Sequence, residues 1–219
     1  MTGLLAGAIL LNWLAAIFNW RKTFVITKPL VLILLLTIFI ILSKGDLQLL
    51  WFYLALGFSL AGDILLLYPT RAFILGLVAF LFAQVAYIMG LNAILPPLIP
   101  TLLAAVVVGL LVLMVFLVFQ AEVRKKPDLK RMRPAILLYA LMLSVMALSA
   151  VLNRFKPAWS PAAACLTAIG GILFLSSDLM LAYDRFVHQF RFSHILVMMT
   201  YHLAQIFLCL GVLIQYQLV

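Results

Sequence analysis

Charge is scarce in this chain. Only 10% of its 219 residues are Asp, Glu, Lys or Arg, and six of those are acidic. Soluble domains carry about 25% charged residues, so this composition excludes a soluble fold. Cysteine is almost absent. Cys165 and Cys209 both fall inside apolar runs, which gives no disulfide framework and no metal spacing and makes both expected core residues. The three histidines, His188, His194 and His202, do not form the HExxH pattern of a zinc hydrolase. Neither a Gly-x-Ser-x-Gly elbow nor a phosphate-cradling glycine loop occurs. No basic segment precedes the first apolar run and no small-residue cleavage site is evident, so that run reads as a retained helix.

Apolar sequence is what the chain has in quantity: 68% of residues are hydrophobic and the mean hydropathy is +1.27. A transmembrane helix needs roughly 17–25 apolar residues. Eight such runs occur, at residues 4–19, 29–43, 47–68, 72–93, 98–121, 134–152, 158–183 and 192–216, with the second short as drawn and able to begin near Phe24. The expected fold is all-α: one polytopic transmembrane domain over 1–219. The net charge of +9 does not argue for nucleic acid, because the basic residues sit at the ends of apolar runs. Loops after the odd-numbered helices hold twelve of the fifteen Lys and Arg residues; the opposite side holds Lys44, Arg154 and Lys156. The positive-inside rule makes the odd-numbered loops cytoplasmic and puts both termini on the non-cytoplasmic side, as in a multi-pass protein of a bacterial inner membrane.

Two stretches look like one idea written twice. FSLAGDILLLYPTRAF holds Asp63 and FLSSDLMLAYDRF holds Asp178, each with small residues before the Asp, leucines after it and a Tyr five positions on. The aspartates are 115 residues apart, Lys28-Pro29 precedes Arg133-Pro134 by 105, and Ala83-Gln84 precedes Ala204-Gln205 by 121. Offsets near half the chain, in conserved order, predict two parallel four-helix repeats, about 1–97 and 98–219.

A carboxylate inside an apolar run costs ~2.5–3.5 kcal/mol on insertion scales and marks function by default. Each Asp lies five residues before its loop-proximal Tyr, roughly 7.5 Å below the helix end, so both are expected at one depth on one side. Two carboxyls in an apolar site separate in behaviour: one keeps its proton and the other ionises. That pair suits acid–base chemistry at neutral pH, with Asp63 and Asp178 as the catalytic residues. Independent helix-packing aspartates are the bland alternative.

The Lys-Pro and Arg-Pro steps predict helix N-termini at Lys28 and Arg133, where an anion such as phosphate is favoured. Ordinary positive-inside anchoring explains them equally for Lys28 and better for Arg133. Helix 8 carries His194, Met198, Tyr201 and Gln205 on one face; helix 4 carries Gly76, Phe80, Gln84 and Tyr87; helix 6 carries Tyr139, Met142 and Met146. Such Tyr and Gln residues act as interhelical glue or, if the three faces meet, line one substrate cavity. Gln84 and Gln205 lie roughly 16–18 Å from the helix starts, so the cavity is long or the glutamines stand behind it.

These stretches resemble the YhhN-type membrane protein family, which includes the lysoplasmalogenases. The matching segments are TKPL (from Thr27), FSLAGDILLL (from Phe58), FILGLVAFLFAQVAY (from Phe73), LFLSSDLMLA (from Leu173) and TYHLAQ (from Thr200), with YALMLSVM (from Tyr139) a looser match. One departure is the Ala83-Gln84 step, where the family pattern reads Ala-His. The resemblance implies an eight-helix hydrolase that cleaves the vinyl ether bond of lysoplasmalogens to a fatty aldehyde and a glycerophospho-headgroup. In that chemistry one of Asp63 and Asp178 donates a proton and the other steadies the cation and activates water. Lys28 and, more weakly, Arg133 would hold the phosphate, with Gln84, Tyr87, Tyr139, Tyr201 and Gln205 as further substrate contacts. The partners would be a lysophospholipid and membrane lipids, with no nucleic acid and no metal or organic cofactor required. A transporter or lipid translocator using the buried aspartates is the competing reading, although the prolines at helix ends favour it less; a scaffold would leave the paired aspartates unexplained.

Overall fold

A computed structural model describes residues 1–68, 71–125 and 133–218. Eight α-helices account for nearly all of these: α1 (Thr2–Ile17), α2 (Arg21–Leu42), α3 (Leu50–Leu65), α4 (Arg71–Leu91), α5 (Leu98–Lys125), α6 (Arg133–Leu152), α7 (Pro161–Phe186) and α8 (Ser193–Gln215). One 3₁₀ turn, Leu47–Leu49, leads into α3 and another, Asn153–Phe155, follows α6. In lipid every backbone polar group must be satisfied inside the segment, which is why runs this apolar fold as helices. Seven of these segments are long and apolar enough to cross a membrane; α1, at 16 residues, is shorter. The chain is a multi-pass membrane protein.

Helices joined by short loops pack as antiparallel neighbours. The tightest pairings are α7 on α8 and α3 on α4; α6 joins α7 to α4, and α1 and α2 close against α8. Small residues set the α7–α8 spacing. A Cβ added to Gly170 would stand 2.8 Å from the Leu208 backbone nitrogen, and one added to Gly211 would stand 2.9 Å from the Ala163 carbonyl. The core is continuous from α2 through α3, α4 and α6 to α8, with Leu32, Leu56, Tyr87, Met146, Phe174 and Leu208 almost wholly buried. α5 packs on α6 and presents Leu102, Leu103, Val106 and Leu110 outward.

Three expectations need correction. α2 begins at Arg21, so Lys28 and Pro29 lie two turns inside the helix and not at its N-terminus. The polar Arg-Lys-Thr segment continues as helix into the apolar run, and membrane helices tolerate an internal proline where neighbours satisfy the freed groups. Cys165 is exposed on the outer face of α7, whereas Cys209 is buried as expected. Arg133 does start α6, but its guanidinium rests over the Phe116 ring at 4.5 Å and away from the aspartates' cavity. Most of the mid-chain basic loop, at 126–132, lies outside the described residues, as do Pro69, Thr70 and Val219.

Candidate functional site

Asp63 sits near the end of α3 and Asp178 two turns before the end of α7, and both line one cavity of about 260 Å³. The cavity lies toward the end of the bundle where α3 and α7 finish and α2, α4 and α8 begin, the end that carries most of the basic residues. Small residues make this possible. Gly62, beside Asp63, lets the Phe80 ring approach to where a Cβ would be 2.6 Å away. Ser177, beside Asp178, donates to the Val197 carbonyl at 3.1 Å and ties α7 to α8 at that level.

The two aspartates are held differently. The Lys28 ammonium lies 3.2 Å from Asp63 Oδ1, and both side chains are more than nine-tenths buried. Asp63 Oδ2 and the neighbouring Tyr201 hydroxyl are buried side by side at the cavity wall, close enough to act on each other electrostatically. Asp178 meets neutral groups: the Tyr139 hydroxyl and the Gln84 amide, the latter at 3.5 Å, both donate to its Oδ2. Lys28, Asp63 and Asp178 are close enough to act on one another electrostatically, so they form one cluster of two carboxyls and one ammonium. A buried ion pair is expensive to desolvate and is weak evidence for stability; its presence in a membrane segment points to use.

Around this cluster, α4, α6 and α8 contribute as the three polar faces predict, but not uniformly. Phe80, His194, Met198 and Tyr201 line the cavity, Gln84 and Tyr139 reach Asp178, and Met146 is buried in the core. Tyr87 and Gln205 do neither. The Tyr87 hydroxyl donates to Gln205 Oε1 at 2.5 Å, and Gln205 Nε2 donates to Ser59 Oγ at 3.0 Å. That chain joins α4, α8 and α3 below the cavity, and it is interhelical glue. His202, off the helix-8 stripe, faces α1: its Nδ1 accepts from Trp13 Nε1 at 3.1 Å, which fixes the tautomer with the proton on Nε2.

The outer part of the cavity holds His194, which the helix-8 face predicts, and three groups that the motifs did not single out. Asp184, Arg185, Gln189 and His194 line it, with His194 and Arg185 exposed. One signal for Arg185 was available: it follows Asp178 by seven residues, two helical turns on the same face. Arg185 and Asp178 also border a second cavity, of about 360 Å³, between α4, α6 and α7. Among the described residues no cluster of three metal-ligating side chains occurs.

The chain matches the model of the YhhN family over residues 23–212. It is 30% identical over 159 residues to the lysoplasmalogenase TMEM86B of Rattus norvegicus and 31% identical over 159 residues to that of Mus musculus. Each alignment covers 73% of this chain, and the two cover 60% and 62% of the respective relatives. The match therefore spans about three fifths of those relatives' length. No solved structure matches the chain. With matched sequence running from the start of α2 almost to the end of α8, and both aspartate motifs inside it, the chain belongs to the YhhN family.

Proposed function

We propose that this protein is a lysoplasmalogenase-type hydrolase, cleaving the vinyl ether of a single-chain alkenyl phospholipid by acid–base catalysis between Asp178 and Asp63. The observation that carries the proposal is the unequal setting of two aspartates in one cavity: Asp63 has a cationic partner, and Asp178 is held by neutral donors. Lys28 makes Asp63 the carboxylate of the pair. Asp178 is then the acid. Its proton goes to the β-carbon of the vinyl ether, whose π electrons form the new C–H bond and leave an oxocarbenium ion. The Asp63 carboxylate steadies that cation. Water adds to the α-carbon and gives its proton to the Asp178 carboxylate, and the hemiacetal collapses to aldehyde and alcohol as the C–O bond to the glycerol breaks.

This reading moves Lys28 from phosphate anchor to counter-ion of Asp63. The headgroup then falls to the outer cavity, where Arg185 and His194 supply donors for a phosphate. Tyr139 and Gln84 orient Asp178. The relatives named lysoplasmalogenases support the substrate class. We place the basic end in the cytoplasm of a bacterial cell, in the inner membrane. The two-repeat architecture is supported by one packing symmetry: α6 contacts α4 across the halves as α2 contacts α8.

The test is to incubate purified protein with alkenyl, alkyl and acyl lysophospholipids of one headgroup and measure free aldehyde. The proposal expects aldehyde from the alkenyl lipid alone. Folded protein that releases none would refute it.

A further inference from the structure

The cavity between α4, α6 and α7 is the second opening onto Asp178, and its chemistry differs from the first. It is walled by Ile74, Val78 and Leu81 of α4, Leu138 of α6, and Leu181 and Ala182 of α7. Asp178 and Tyr139 lie at its inner limit and Arg185 at its rim. Ile74, Val78 and Leu138 are 52%, 40% and 50% exposed, on helices of membrane-crossing length. The groove therefore opens sideways, onto hydrocarbon. Its volume, about 360 Å³, is roughly a dozen times the ~30 Å³ share of one water, which suits a segment of a single alkyl chain rather than a whole diacyl lipid.

Position narrows the occupant. The groove and the polar cavity share Asp178, Leu181 and Arg185, so they adjoin at Asp178, and a molecule that spans both passes it. Such a molecule needs a polar, anion-bearing end and one apolar chain. From these observations we infer that the α4–α6–α7 groove binds the hydrocarbon tail of a single-chain lipid. The tail enters and leaves laterally from the membrane, while the headgroup occupies the Lys28–Asp63 cavity. This inference rests on the lysophospholipid reading above and gives it an orientation. The β-carbon, nearer the tail, lies on the groove side beside Asp178. The ether oxygen and α-carbon lie toward the polar cavity, where water meets both carboxyls. The aldehyde then leaves through the groove into the bilayer, and the water-soluble product leaves through the polar cavity.

A non-hydrolysable alkyl lysophospholipid with a photoreactive diazirine in mid-chain tests the site without requiring turnover. The full-length protein in detergent or nanodiscs is irradiated with the probe and the labelled peptides are mapped. Label is expected on residues 74–81 of α4 and 135–139 of α6. It should fall at least tenfold in Val78→Trp and in Leu138→Trp, either of which suffices if the other fails to fold. Leu103→Trp, on the outer face of α5, should label as wild type. Label spread evenly over outward-facing helices, or undiminished in both folded groove variants, overturns the tail site. The two proposals can fail separately: groove labelling without aldehyde release supports the tail site while hydrolysis fails. Aldehyde release with label elsewhere overturns the tail site and leaves hydrolysis standing.

Discussion

Lys28 Nζ lies 3.2 Å from Asp63 Oδ1, joining α2 to α3 by an ion pair that is almost wholly buried. Removing one member of a buried pair leaves the other charge uncompensated, at a cost of about 3–5 kcal/mol. Lys28→Met should therefore lower thermal stability in detergent more than the double variant Lys28→Met/Asp63→Asn does. Both should lose aldehyde release. A double variant no more stable than the single one would count against the pair as a coupled unit.

Asp178→Asn keeps the shape of the side chain and removes its proton-transfer capacity. Turnover should fall by about 10²–10⁴-fold, as should turnover of Asp63→Asn. Tyr139→Phe removes a donor to Asp178 Oδ2 and should cost roughly tenfold in kcat. Steady-state aldehyde release by the folded variants checks all three, and an aspartate variant with near-normal turnover would end the two-carboxylate account.

The Tyr87–Gln205–Ser59 chain separates glue from site. Tyr87→Phe leaves Gln205 Oε1 without its donor and should destabilise by about 1–3 kcal/mol. Because this chain lies outside the cavity wall, kcat should stay within about threefold of wild type. A large kcat loss with unchanged stability would return these residues to the substrate site.

At the opposite end, Lys156 is buried and its ammonium donates to the Leu91 carbonyl at 2.7 Å and to Asn153 Oδ1 at 2.9 Å. It caps the C-terminus of α4, where a cation complements the helix dipole. Burial brings it from the ordinary 10.5 down to about 8. Between those values the unfolded chain holds a proton that the folded chain has lost, so this group adds stability as pH rises from about 8 to 10.5 and is flat below 8. Melting curves from pH 7 to 10.5 should show a steeper rise, or a gentler fall, for wild type than for Lys156→Met. Parallel curves would contradict this.

Much of the fold was legible because lipid leaves one solution for apolar runs of this length. The eight predicted helices correspond to α1–α8, with ends shifted by a few residues. α2 was the exception. The preference of proline for a first helical position predicts a start at Lys28-Pro29, but tertiary partners outweigh it: Asn12 donates to Thr27 Oγ1, and Thr27 in turn donates to the Thr23 carbonyl. The site was half legible. Carboxylates in membrane segments announce themselves, and helical spacing put Tyr139, Gln84 and Tyr201 on faces able to meet around them, but it set Gln84 well below the aspartates, whereas its amide reaches Asp178. Pairing was not legible, since spacing along one helix does not say which partner helix lies opposite. Lys28 therefore reads equally as an anion anchor or as a positive-inside anchor, and in the structure it pairs with Asp63. Arg133 matched it in sequence and lies over Phe116 instead. Arg185 was hidden among basic residues that orient the chain.

An aspartic acid that protonates carbon in a vinyl ether leaves an isotopic mark in the product. The purified protein is supplied with alkenyl lysophospholipid in D₂O, and the aldehyde is trapped at once and weighed by mass spectrometry. Protonation of the β-carbon predicts one solvent deuterium at C2 of the aldehyde in every turnover, with no aldehyde above background from Asp178→Asn. Aldehyde without deuterium at C2, or no aldehyde from folded wild-type protein, would contradict the account.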